Sequence, residues 1–352
     1  MIADRSVFGD DHPPQELLHR EPAVAALTRA FDPALRGDRA DDVLIAGPSG
    51  VGKTVLATHS LRRLQQRADV HTAYVRALDQ SAAGIVRGVL QDLPGSDPAM
   101  NTPLEDLCLE LDDRVDRPTI VVLDEASELP RSDALARLDD VPLCSWIAIC
   151  HEPTDWLARV DDRVRHRVVG REVVLDRYSV DELADILEPR VRQGLRGDPV
   201  ARDQLERIAD TVAGVARAGI QTLLAAAEIA DERQHNTIRD ADIEDGWPRA
   251  QAWIRESNLE SLPFDHQLLY ELIRRDGPLR GGALHDQYDA IADQAYAGRA
   301  RTPVQRRARR DQLAKLREYD LVVREGSGRG AEYRVCDASI RSPYEVAVPP
   351  EQ

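Results

Sequence analysis

Eight consecutive residues, Gly47-Pro48-Ser49-Gly50-Val51-Gly52-Lys53-Thr54, have the types and spacing of a loop that cradles phosphates. Glycines let successive backbone N–H groups curl around an anion. The helix expected over 54–66, with Val55 in its first turn, adds the positive end of its dipole. Lys53 is placed to reach the β- and γ-phosphates, and the Thr54 hydroxyl to ligate Mg²⁺. Lys53 is also one of only two lysines, with Lys315, against 44 arginines. Arginine serves wherever a diffuse charge suffices, but a compact ammonium among phosphates has no arginine substitute. A second chemical pair lies some 70 residues on. The run Thr119-Ile120-Val121-Val122-Leu123 ends in Asp124-Glu125. Open α/β sheets bind ligands at the carboxyl ends of their strands. Asp124 is thus placed to hold Mg²⁺, directly or through water, and Glu125 to polarise an attacking water.

The elements that must position these residues follow from the apolar pattern. Short apolar runs at 43–46, 70–75, 119–123 and 145–149 alternate with segments of helical period. Continuous apolar runs of that length suit strands buried on both faces, and the alternation predicts a parallel α/β sheet over residues 1–170. Beyond about 172 no strand run is expected. Ser179 and Glu182 have the spacing of a capping box, and Leu183, Ile186, Leu187 and Val191 continue a helix from it. Further helices are expected at 201–212 and 216–233, giving an all-helical second domain over 171–255. Trp247-Pro248 and the stretch 257–263 mark the next boundary. A third domain, 256–341, reads as three helices and two short strands joined by Gly326-Ser327-Gly328-Arg329-Gly330, with a tail at 342–352.

Charge is unevenly spread. The chain carries a net −16, yet residues 299–317 hold eight cations and one anion, leaving −23 for the remainder. Local positive charge on an acidic chain is the footprint of a phosphate-binding surface. Val304, Ala308, Leu313 and Leu316 form an apolar stripe there, so Arg306, Arg307, Arg309 and Arg310 are expected to point outward into a DNA major groove, with Arg329 on a following wing. Only 15 aromatic residues occur in the chain, which disfavours a single-strand stacking platform. No apolar run approaches the roughly 20 residues that span a bilayer, so no membrane partner is expected. Four cysteines without Cys-x-x-Cys spacing argue against structural zinc or a disulfide framework. A cytoplasmic, nucleoid-associated location is expected.

With these motifs in place, the chain resembles the AAA+ ATPases, and within them the archaeal initiators related to the origin recognition complex and the cell-division-control helicase loaders. His19-Arg20-Glu21 looks like that family's His-Arg-Glu box, Tyr178-Ser179 with Glu182-Leu183 like the start of its helical lid, and Gly214-Val215-Ala216-Arg217 like its second sensor. The tail resembles its winged-helix domain. The resemblance implies an AAA+ P-loop sheet, a helical lid and a winged helix. It further implies ATP and Mg²⁺ as cofactors and duplex origin DNA as partner. Recruitment of a replicative helicase and self-association on DNA follow from it too. By position, Tyr178 and Arg190 resemble lid contacts to ATP, Arg217 a γ-phosphate sensor, and Arg163 an arginine facing a neighbouring subunit's nucleotide.

The pattern also departs from that family. His151 follows the fourth strand where an asparagine usually orients the lytic water. Ala126-Ser127 follows the acidic pair, and Arg177 replaces a proline before Tyr178. Residues 79–103 match poorly where these initiators carry a DNA-contacting helical insertion. Three readings stay open: an ATP-dependent replication initiator with slow hydrolysis by Glu125, a non-hydrolysing paralogue, and an ATP-responsive transcription regulator.

Overall fold

A computed structural model describes residues 1–9, 12, 14, 16–129, 133–299 and 301–343, and the chain divides into two compact units, 1–243 and 244–352. In the first unit, helix α1 (Glu21–Phe31) precedes strand β1 (Val43–Ala46), helix α2 (Lys53–Gln65), strand β2 (His71–Arg76), and helices α3 (Ala82–Asp92) and α4 (Leu104–Arg114). Strand β3 (Thr119–Asp124), helix α5 (Asp133–Asp139), strand β4 (Cys144–Cys150), helices α6 (Pro153–Arg159) and α7 (Asp162–Val168) and strand β5 (Glu172–Val174) complete the α/β part. The five strands are parallel in the order β2-β3-β4-β1-β5.

Both faces of this sheet are covered, which is why the strands read as unbroken apolar runs. Along β1, Leu44 and Ala46 pack with Val121, Leu123, Trp146 and Ala148 beneath α3, α4 and α5. Val43 and Ile45 join Ile120, Val122, Ile147 and Ile149 beneath α1 and α2 on the other face. The expected strands lie within a residue or two of their predicted bounds. Strand β5 was not expected. It has only three residues, of which Val173 alone is buried, too few to show a period, and it pairs with β1 at Ile45↔Val173. The sheet therefore runs past the boundary expected at residue 170.

The helical half of this unit comprises α8 (Val180–Gly194), α9 (Arg202–Thr211) and α10 (Ala216–Glu232). The capping box that starts α8 is formed as read. The Glu182 N–H donates to Ser179 Oγ at 3.3 Å, and the Ser179 N–H donates to Glu182 Oε2 at 2.8 Å. Helix α11 (Asp240–Glu260) crosses from one unit into the next.

The second unit continues with α12 (Phe264–Asp276), a two-residue strand β6 (Leu279–Arg280), α13 (Gly281–Ala295), α14 (Arg306–Glu318) and the hairpin β7 (Val322–Glu325) and β8 (Glu332–Val335). Strand β8 lies between β6 and β7 in an antiparallel sheet. This helix–strand–helix–helix–strand–strand order is that of a winged helix. Leu268, Leu272, Leu284, Tyr288, Leu313 and Leu316 form its core, each at most 2% exposed.

Replacing Ser179 with Ala removes the cap of α8. Unfolding of the first unit in urea is expected to show a loss of about 1 kcal/mol.

Candidate functional site

The turn from β1 into α2 adopts the conformation the glycines were read for. Gly47, Gly50 and Gly52 have φ of 146°, 75° and 95°, which other residues rarely adopt. Lys53 Nζ folds back on the loop and donates to the carbonyls of Gly47 at 2.6 Å and Pro48 at 2.8 Å. Ser49 is exposed, Val51 is fully buried, and Thr54 and Val55 lie on the first turn of α2.

The strand order brings the acidic pair to this loop. Thr54 Oγ1 donates to Asp124 Oδ2 at 2.6 Å, and the Glu125 N–H donates to Asp124 Oδ1 at 2.8 Å. A hydroxyl beside a carboxylate offers the hard oxygen donors that Mg²⁺ takes, with phosphates and water filling its other positions. Among the described residues there is no group of three or more His, Cys, Asp or Glu that could hold a metal ion. His151 follows β4 at the same end of the sheet. Its carbonyl accepts the Gly47 N–H at 3.1 Å, and its N–H donates to Ser127 Oγ at 3.4 Å.

Two residues of this cluster were missed by sequence reasoning. Tyr74 on β2 donates its hydroxyl to Asp124 Oδ2 at 2.7 Å. Burial, and then the Asp124 charge, hold its phenol well above the usual tyrosine range, so it remains a donor. Arg76 donates to Glu125 Oε1 from Nε at 3.0 Å and from Nη2 at 2.7 Å. The signal was available: residues 74 and 76 share one face of a strand by period two, and Arg76 pairs in register with Asp124.

The helical half closes on the loop from the other side. The Arg217 N–H, in the first turn of α10, donates to Gly50 O at 3.2 Å. Tyr178 is buried, which raises its phenol above the ordinary range, and its ring carries the Arg20 guanidinium 3.8 Å above its centroid. Arg20 also donates to Asp176 O at 2.7 Å and Val51 O at 3.4 Å. His19 reaches Asp185 of α8 at 2.9 Å. The His-Arg-Glu box is thus a strap between the phosphate loop and the helical half.

Two residues expected to contact nucleotide have partners within the first unit. Arg190 is buried and donates to the carbonyls of Val7 and, at 3.2 Å, His12, so its described hydrogen bonds hold the N-terminal segment against α8. Arg163 is half-exposed but ion-paired within its own unit, to Asp139 at 3.0 Å and Asp140 at 2.9 Å. Asp139 is buried and also meets Arg39 and Arg167, so the carboxylate needs these cations close by.

In the second unit, α14 presents Arg306, Arg307 and Arg310 to solvent. Arg306 pairs with Asp286 at 3.0 Å. Arg309 does not point outward as expected. It is 3% exposed, lies 4.3 Å from the Tyr288 ring centroid, and bonds Asp289 at 2.8 Å and His285 O at 3.1 Å. Helical period explains this, since position 309 falls beside Leu313 and Leu316 on the buried face of α14. The Arg329 side chain lies outside the described residues. In the same wing Arg334 pairs with Glu325 across the hairpin at 2.7 Å.

Comparison with known proteins bears on the family and the fold. An AAA ATPase domain matches residues 16–141, and a Cdc6 AAA+ ATPase-type lid domain matches residues 184–247. ORC1-type DNA replication protein 9 of Halobacterium salinarum is 31% identical over 347 residues, 97% of this chain and 96% of the relative. ORC1-type DNA replication protein 1 of Methanothermobacter thermautotrophicus is 28% identical over 329 residues, 83% and 84% of the two chains. The solved Aeropyrum pernix ORC1 protein in complex with DNA has a similar fold, with a TM-score of 0.74 at 24% identity over 95% of this chain and 93% of that one. Among the described residues no helix is long and apolar enough to cross a membrane.

Arg309→Ala is expected to lower the stability of the second unit by about 1–3 kcal/mol, because it strips partners from buried groups. Arg310→Ala should stay within about 0.5 kcal/mol. Thermal unfolding of the two variants checks the contrast.

Proposed function

Because the chain belongs to the family of ORC1-type DNA replication proteins, we propose that it is an ATP-dependent replication initiator that binds duplex origin DNA and helps recruit the replicative helicase. The observation that carries the nucleotide part is the junction of three elements at one point: the phosphate loop, the Thr54–Asp124 pair and the Arg217 amide on Gly50. In this reading residues 47–55 hold the phosphates of ATP. Lys53 exchanges the Gly47 and Pro48 carbonyls for phosphate oxygens, and Thr54 and Asp124 hold Mg²⁺. Mg²⁺ there neutralises phosphate charge. Arg217 and Tyr178 are the parts of the lid that register whether the third phosphate is bound.

Glu125 is the candidate base for hydrolysis, with His151 beside it in place of the usual asparagine. Its Oε1 is held by Arg76, and in this reading the ion pair restrains the carboxylate from turning toward an attacking water. That favours a slow switch, and a non-hydrolysing relative is the second reading on the same observation. Arg306, Arg307 and Arg310 are the proposed duplex contacts, with Arg329 on the wing. Copies associate on DNA in this reading, and Arg163 reaches a neighbour only by exchanging Asp139 and Asp140. The working place is the nucleoid.

Lys53→Ala should abolish ATP binding in a fluorescent-nucleotide titration. Arg306→Ala, Arg307→Ala and Arg310→Ala together should weaken duplex binding and reduce the salt slope of log K by about 2–3, with ATP binding unchanged. Unchanged duplex affinity would remove the recognition-helix role. Arg76→Ala should raise ATP turnover several-fold if Glu125 is the base, and leave it at background in a non-hydrolysing protein.

A further inference from the structure

Asp124 is the best-supplied carboxylate at the loop, and each of its donors comes from a different place. Oδ2 takes the Thr54 hydroxyl from α2 at 2.6 Å and the Tyr74 hydroxyl from β2 at 2.7 Å, while Oδ1 takes the Glu125 N–H at 2.8 Å. A carboxylate has about four acceptor positions, so three are filled and its rotation is fixed. Tyr74 is itself held. β2 is an edge strand, which leaves Tyr74 44% exposed and some of its main-chain donors facing outward. Asp92, the last residue of α3, accepts the Tyr74 N–H at 2.7 Å. The backbone is anchored by one carboxylate and the side chain reaches the other.

We propose that Tyr74 is a positioning residue for the cation at this loop, holding Asp124 turned toward Thr54 so that the Thr54 oxygen and the acceptor position left on Asp124 Oδ1 would serve Mg²⁺, directly or through water. The inference rests on the nucleotide reading above. While Thr54 donates its proton to Asp124, the lone pairs of its oxygen remain free for a cation. Holding Asp124 in place maintains that polarity before any ligand arrives. Tyr74 touches neither nucleotide nor metal in this scheme. Its contribution therefore belongs to the Mg²⁺-dependent part of nucleotide binding and not to phosphate binding as a whole.

Tyr74→Phe keeps the ring and removes the donor. The full chain is titrated with a fluorescent ATP analogue in EDTA and then across Mg²⁺ concentrations. The variant should bind the analogue in EDTA as the wild type does, melt at the same temperature in EDTA, and need roughly three- to tenfold more Mg²⁺ for half-maximal tightening, the order expected for one hydrogen bond to a charged group. In an Asp124→Asn background, Tyr74→Phe should shift the Mg²⁺ midpoint no further. An identical Mg²⁺ midpoint in wild type and variant overturns the proposal, as does an equal loss of affinity with and without Mg²⁺, which would mark Tyr74 as merely structural. If the wild type binds no ATP analogue at all, the nucleotide reading fails instead, and that outcome is distinguishable from the other two.

Discussion

Two backbone hydrogen bonds hold the helical half of the first unit to the phosphate loop and to the chain entering it. The Arg217 N–H donates to Gly50 O at 3.2 Å, and the Tyr178 N–H donates to Gly214 O at 3.0 Å. Both contacts require glycine. A Cβ on Gly50 would stand 2.7 Å from Val215 Cγ1, and a Cβ on Gly214 would stand 2.0 Å from Tyr178 O. Both glycines have φ near 75°, the left-handed region that side chains disfavour. With the lid seated this way, Tyr178 and Arg217 are delivered to the loop by main-chain geometry, and Arg20 closes the gap by lying over Tyr178. In the proposed reading, any sensing of nucleotide by Tyr178 and Arg217 depends on this seat.

The chemistry at the sheet end is arranged around the same loop. Parallel strand order sets β3 two strands from β1, with β4 between them, so Asp124 and Glu125 face the start of α2 across the end of β4, where His151 begins. The edge strand β2 then supplies a restraining partner to each carboxylate: Tyr74 to Asp124 and Arg76 to Glu125. In the proposed reading one restraint serves metal binding and the other holds the candidate base in place, which suits a slow switch.

Much of this was legible in the chain. The phosphate loop, the acidic pair and four of the five strands follow from composition and period, because a doubly covered sheet writes itself as apolar runs. The capping box of α8 was readable because two side chains at fixed spacing make it. Strand β5 was not, since three residues with one buried valine carry no period. The burial of Arg309 and the described partners of Arg190 were not foreseen, for a common reason. Arginine is usually exposed, and nothing local reveals that Val7 and His12, or Tyr288 and Asp289, wait with acceptors and a ring. Tyr74 and Arg76 were legible only in combination, once β2 was laid in register beside β3.

The central claim is that ATP is held between the loop and a lid seated on glycine. Gly214→Ala tests it most directly, with ATP affinity measured by calorimetric titration and folding followed by far-ultraviolet circular dichroism. The account predicts an affinity at least tenfold weaker with helix content retained. Wild-type affinity in that variant would mean the lid seat plays no part in holding the nucleotide.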